Sequence, residues 1–294
     1  MVEANVGVVA ALGSSASWAV GSILFARLGK RLQPLALTLA KGVISVALLA
    51  LVLALSKPAA PVPPQSLCLL VVSGILGIAV GDTLFFAALQ RLGPSVLVLL
   101  FALGQALTVI LAVLRLGERP SFVQLVGIVV VTASVTTVLW LRIESNGRRT
   151  ELAGILYGLG SIVSMSVSVI IAKVGLGEAG PLDATFVRMV AGVACVGLWM
   201  LTTGRIGTGL KPVLDPAYAA ELTIAVAVVT FGGFSLSLVA VKNIDVAVAN
   251  TLTSTEPIFV LPLAAIYLRE RVTVPQVLCA FATVMGVALL SLPQ

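Results

Sequence analysis

The chain has 294 residues, 59% of them hydrophobic and only 10% charged, with a formal net charge of +6 and no histidine. A soluble domain is about half apolar and roughly a quarter charged, so this composition excludes a water-soluble globule and makes a lipid bilayer the expected surroundings. The surplus of positive charge does not form a nucleic-acid surface, because the lysines and arginines are scattered among the connections.

Windows of about 20 apolar residues predict ten transmembrane helices, an all-α integral membrane protein. The first, Val6–Phe25, follows Glu3 with no lysine or arginine ahead of it, the wrong sign for a secretory leader, and is read as a retained helix. It carries Ser14, Ser15, Ser17, Trp18 and Ser22. Polar groups inside a span face a protein interior or a water-filled cavity, so Ser14, Ser17 and Trp18 are candidate substrate contacts, with helix packing as the competing reading. The second span, Pro34–Leu55, holds Lys41. The third, Leu67–Leu89, contains Gly81, Asp82, Phe85 and Phe86. Glycine beside aromatics opens room between flat apolar walls or lets two helices approach closely, and both readings stand.

The fourth span, Pro94–Leu114, offers Gln105, and the fifth is Phe122–Leu141. Between them lies "LGERPSFVQ", Leu116–Gln124, whose position marks a membrane surface where Ser121 caps the next helix. The sixth span, Leu152–Ala172, brings Ser161 and Ser164; the seventh, Leu182–Leu201, brings Arg188; the eighth, Tyr218–Val241, brings Phe231 and Phe234. Lys41 and Arg188 fit snorkelling or structural pairing better than substrate contact. In the ninth span, Val246–Tyr267, the residues Asn250, Thr253, Ser254 and Pro257 recur at helical spacing, and Pro257 would free a carbonyl to make a polar notch. That face is the leading binding candidate, with Gln105 as its counterpart. Asp82 and Glu256 are the acids set deepest in apolar runs. Either is a candidate for proton coupling, the alternative being a structural ion pair with Lys41 or Arg188. After "LRERVTVPQ" comes the tenth span, Pro275–Leu292.

Cys68, Cys195 and Cys279 sit within spans without metal-ligand spacing, so neither a metal site nor a disulfide framework is expected. A GxxxxGK phosphate loop and a GxGxxG dinucleotide turn are also missing, so no cofactor and no nucleotide-driven pump is expected. Without histidine, a Ser/His/Asp arrangement cannot be built, which argues against a membrane enzyme.

The halves repeat. A shift of 147 residues lays Pro34, Leu35, Thr38 and Lys41 on Pro181, Leu182, Thr185 and Arg188. A shift of 152 lays Gly81, Leu84, Ala88, Leu116, Glu118, Arg119 and Gln124 on Gly233, Leu236, Ala240, Leu268, Glu270, Arg271 and Gln276. Two five-helix repeats result, residues 1–147 and 148–294. Five being odd, the second repeat must enter the membrane from the opposite side, an inverted arrangement used by secondary transporters. Lysine and arginine are concentrated in the connections after odd-numbered spans, which places both termini outside the cytoplasm by the positive-inside rule.

The segment "STEPIFVLPLAAIYLRERVTVPQVLCAFATVMGVALL", with Glu256-Pro257, Glu270, Gln276 and Gly286, and its first-half counterpart "GQALTVILAVLRLGERPSFVQLVGIVVVTASV", which has Gly104-Gln105 in place of Glu-Pro, resemble the EamA branch of the drug/metabolite transporter superfamily. The resemblance spans nearly the whole chain. It implies a ten-helix carrier of the inner or plasma membrane that moves small metabolites, often amino acids outward, without hydrolysing nucleotide. It also implies that helices 1, 3, 4, 6, 8 and 9 surround a cavity while 5 and 10 are peripheral, and that both termini are cytoplasmic, so the orientation stays open. The expected partner is a small-molecule substrate, an amino acid or similar metabolite, carried by a functional monomer. Drugs, sugars and nucleotide-sugars are the alternative cargoes.

Overall fold

The structure is a computed structural model that describes residues 2–55, 63–116, 121–146, 148–176, 181–207, 211, 214–244 and 252–290. Among these residues the secondary structure is helical: α1 (Val2–Gly29), α2 (Pro34–Leu55), α3 (Pro64–Gly74), a π-helical segment π1 (Ile75–Asp82), α4 (Thr83–Leu92), α5 (Pro94–Leu116), α6 (Phe122–Asn146), α7 (Arg148–Leu176), α8 (Pro181–Thr202), α9 (Pro216–Ala227), π2 (Val228–Ser235), α10 (Leu236–Asn243), α11 (Glu256–Leu263), π3 (Ala264–Leu268) and α12 (Val274–Leu290). Among the described residues, seven helices are long and apolar enough to cross a membrane, and shorter apolar helices run Pro94–Gly104, Glu256–Leu268 and Val274–Leu289.

Proline supplies the first residue of α2, α3, α5, α8 and α9. Its fixed φ suits a helix start, where its missing N–H costs nothing. The two loop motifs become caps. In the first, the Ser121 N–H donates to Gln124 Oε1 at 3.1 Å while the Gln124 N–H donates to Ser121 Oγ at 3.3 Å, a reciprocal capping box opening α6. In the second, the Thr273 N–H donates to Gln276 Oε1 at 2.8 Å before α12. Glu270, between π3 and α12, accepts a hydrogen bond from Ser95 Oγ at 2.5 Å at the start of α5.

The chain divides into two compact units that cut across the sequence halves: residues 1–27, 91–155 and 228–294, and residues 28–90 and 156–227. In the first, α12 packs along α6 and α5, and α11 packs on α5 and α12. Its α1 meets α10 through small residues, Ala10 and Ala11 against Ala240, with Leu236 and Ile244 alongside. In the second unit α8 packs on α2, α3 and π1, and α9 lies against α2. Leu39, Ala79, Val196 and Met200 form its core.

Polarity is distributed as lipid requires. Leucine, valine and aromatic side chains such as Leu51, Phe122, Trp140 and Leu198 are exposed, whereas Ser14, Ser15, Ser73, Asp82, Ser161, Ser168 and Thr283 are buried. With no water to satisfy them, polar groups in the hydrocarbon must find partners inside the protein.

The π segments show how. Widening the turn interrupts the regular i→i+4 ladder, and serines from a neighbouring helix reach the carbonyls there. In the first unit Ser14 Oγ donates to Gly233 O at 2.6 Å. In the second, Ser161 Oγ donates to Gly81 O at 2.8 Å and Ser164 Oγ to Leu76 O at 2.7 Å, and just before π1, at the end of α3, Ser168 Oγ donates to Ser73 O at 2.8 Å. Ser161 is Ser14 shifted by 147, and Gly233 is Gly81 shifted by 152. The same two shifts relate the contacts beside them: a Cβ on Gly13 would meet Leu236 at 3.1 Å and one on Gly160 would meet Leu84 at 3.2 Å. A Cβ on Gly233 would meet the Trp18 indole at 2.9 Å, and one on Gly81 would meet Met165 at 2.9 Å.

Candidate functional site

In the first unit a cavity of about 260 Å³ opens among α1, α5, the start of α11 and α12. Ser14 and Trp18 line it from α1, Val98, Phe101 and Ala102 from α5, and Thr253, Ser254, Glu256 and Pro257 from the ninth expected span. Thr283 and Val287 of α12 complete the wall. Five candidates from the sequence, Ser14, Trp18, Thr253, Ser254 and Glu256, thus converge on one cavity.

The ninth span differs from the expectation of one helical face. Ser254 and Thr255 form a turn, and α11 begins at Glu256 with Thr255 as the flanking residue (φ −75°, ψ 2°). Pro257 therefore starts a helix rather than notching the middle of one, as a proline in the first turn should. The turn is held from two sides. Thr255 Oγ1 donates to Leu252 O at 2.6 Å, leaving its oxygen to accept from Ser15 Oγ at 3.1 Å. The α11 terminus presents few free donors, because Pro257 has no N–H and the Ile258 N–H donates to Thr255 O at 2.9 Å.

Glu256 Oε1 accepts a hydrogen bond from Ser22 Oγ at 3.3 Å. Thr283, on the same cavity, is 1% exposed, and among the described residues its Oγ1 has no hydrogen-bond partner. The contribution of α12 departs from the expectation that the tenth helix is peripheral: Gly286, where a Cβ would meet Val131 at 2.7 Å, lets α12 close on α6, and Thr283 and Val287 reach the cavity. Thr283 is hard to single out from sequence, being one hydroxyl in a long apolar run.

Ser17, between the lining residues Ser14 and Trp18, is not part of the lining; it lies against Gly232 and donates to Gly13 O of its own helix at 2.8 Å. Phe231 is exposed on π2. The side chains of Gln105 on α5 and Phe234 on π2, and all of Asn250, lie outside the described residues.

The remaining candidates belong to the second unit. Asp82 is 6% exposed, and its Oδ2 lies 2.7 Å from Lys41 Nζ in a salt bridge. The Lys41 ammonium stands 5.9 Å from the centre of the Phe86 ring, and Phe85 meets Phe86 edge to face at 5.4 Å. Thr83 Oγ1 bridges to Thr38 Oγ1 at 3.0 Å. Arg188 Nη2 donates to Ser168 Oγ at 3.1 Å, and among the described residues its buried Nε has no partner. Ser161 and Ser164 are engaged with the π1 carbonyls.

Long apolar helices with greasy exteriors, buried hydroxyls and a polar-lined cavity define a multi-pass membrane protein equipped to hold a small molecule. Comparison with known proteins agrees: the profile of the EamA-like transporter family matches residues 5–140 and again residues 152–292. The chain belongs to that family. It is 23% identical over 238 residues, 80% of either chain, to an uncharacterized transporter of Archaeoglobus fulgidus. A crystal structure sharing 18% identity aligns over 99% of this chain and 97% of its own with a TM-score of 0.55, a likeness of fold.

Proposed function

We propose that the protein is a secondary transporter whose ten spans form two inverted five-helix repeats, moving small organic metabolites across the inner or plasma membrane by alternating access. Amino acids carried outward are the leading cargo, and a single chain is the working unit. The carrying observation is the cavity in the first unit, where hydroxyls, a carboxylate and two aromatic rings converge. Family membership supports transport, and the doubled profile match supports the repeat.

The proposed substrate contacts are Ser14, Trp18, Thr253, Ser254 and Glu256, with Glu256 also the candidate for proton coupling. In the second unit Asp82 is held by Lys41, which favours a structural role for it over proton coupling. Size favours small cargo: about 260 Å³ lies just below the 300–1,000 Å³ of drug-sized sites. The test is flux into and out of proteoliposomes with labelled amino acids, sugars and nucleotide-sugars in competition. Saturable amino-acid flux above empty vesicles is expected. No flux of any cargo, with or without a proton gradient, would remove the transporter reading, and flux of nucleotide-sugars alone would replace the cargo.

A further inference from the structure

The charge of the cavity is one-sided. Its described lining includes Glu256 and no lysine or arginine. The sequence extends this observation: in this unit the basic residues fall near helix ends or in connections, as with Arg27, Arg91, Arg115, Arg142, Lys242, Arg269 and Arg271. The helix terminus at the cavity does not compensate, since Pro257 lacks an N–H and that of Ile258 is already used. An anionic group entering here would meet a carboxylate in a low-dielectric wall with no charge to offset it, an unfavourable burial.

A cation meets the opposite. Glu256 supplies a charge-assisted acceptor, the hydroxyls of Thr253, Ser254 and Thr283 can accept further N–H bonds, and Trp18 and Phe101 offer aromatic surface. The buried Thr283 Oγ1, without a partner among the described residues, is a polar atom that a bound group would satisfy. Val98, Ala102, Pro257 and Val287 leave an apolar remainder for a short hydrocarbon.

We propose that this cavity selects a protonated primary amine on a small apolar body, with Glu256 as the group that recognises the ammonium and the site making no charged contact to a carboxylate. The proposal rests on the transporter reading for its biological use but concerns binding. Its test therefore separates the two. Binding of 3-methylbutylamine, 3-methylbutanol, leucine and 4-methylpentanoate to the detergent-solubilised protein would be measured by calorimetry, alongside flux of each in proteoliposomes.

The amine is expected to bind about tenfold to a hundredfold more tightly than the alcohol of the same skeleton, the range of a charged hydrogen bond, and 4-methylpentanoate not at all. Leucine is expected to bind through its ammonium and so to remain a ligand, as the amino-acid cargo reading requires, but more weakly than the amine because its carboxylate gains no charged partner. Glu256→Gln should erase the preference for amine over alcohol while leaving alcohol binding in place, which also shows that the variant folds. Glu256→Asp, should the glutamine variant fail to fold, is expected to retain the preference at reduced affinity. Tighter binding of 4-methylpentanoate than of the amine, or an amine preference intact in Glu256→Gln, would overturn the proposal even if flux is seen. Amine binding without flux of these four compounds would uphold it, while the transporter reading stands or falls on the wider cargo competition.

Discussion

The two units build on one scaffold and put charge to different ends. In each, a serine hydroxyl reaches the carbonyl of an equivalent glycine in a π segment, Ser14 to Gly233 and Ser161 to Gly81. The glycine next to each bond allows close approach to equivalent partners, Trp18 and Met165. Yet Asp82 aligns with Phe234, and Glu256 aligns with Gly104, so neither acid has an acidic counterpart in the other repeat. In the second unit the acid is matched by Lys41. In the first it faces a cavity beside Ser22. The doubled family profile accounts for the shared backbone geometry, and a few differing side chains leave the acid of one unit ion-paired and that of the other facing a cavity.

The comparison can be broken most forcefully at the salt bridge. Lys41→Met should destabilise the protein by about 3 kcal/mol, since it removes the direct salt-bridge partner of the buried Asp82 and leaves only the more distant charge of Arg188, whereas Lys41→Met with Asp82→Leu should recover most of that loss. Thermal unfolding in detergent micelles checks both. Equal stability of the single and double variants would mean that Asp82 needs no partner.

A smaller difference is expected at the paired glycines. Gly233→Ala must displace a rigid indole, at a cost of about 1–3 kcal/mol, and should change Trp18 fluorescence and ligand binding. Gly81→Ala meets Met165 Cγ at 2.9 Å and the Leu76 carbonyl at 3.3 Å, and because the unbranched methionine can change rotamer where the indole cannot, it should cost less. The same unfolding measurement ranks them, and a reversed order would contradict the packing difference.

Ser14→Ala and Ser161→Ala sharpen the likeness. Each removes one hydrogen bond to a π-segment carbonyl, so similar losses of about 0.6–1.7 kcal/mol are expected, while Ser14→Ala alone alters ligand affinity. Losses differing by more than about 1.5 kcal/mol would show that the two bonds are not equivalent. Smallest of all, Ser121→Ala is expected to cost about 0.5–1 kcal/mol through its cap and to leave flux unchanged, with local hydrogen exchange faster in the first turn of α6.

Much of the helical layout was legible because apolar run length and proline placement are strong signals. The second span, Pro34–Leu55, coincides with α2, and Phe122 opens α6 as expected. The convergence of Ser14, Trp18, Thr253, Ser254 and Glu256 was legible too, since buried hydroxyls and acids gather where lipid is excluded. The break before α11 was missed although Ser254-Thr255-Glu256-Pro257 carries the marks of a helix start, a hydroxyl residue followed by acid and proline. Hydrophobic length outweighed them. The π segments have no comparable sequence rule: Gly81 and Gly233 predict close packing but not a widened turn. Lys41 was one of two named partners for Asp82, and spacing along the chain could not choose between residues on different helices.

Position 93 shows how the fold restricts mutation. Gly93 has φ 75°, which disfavours other residues, and any Cβ there would run into the Glu270 carboxylate that holds Ser95. Backbone and tertiary contact therefore filter the same site independently. In a library randomised at residue 93 and selected for folded protein, glycine should dominate, and shortening or losing Glu270 should relieve the contact but not the backbone strain, so alanine should stay rarer than glycine even there.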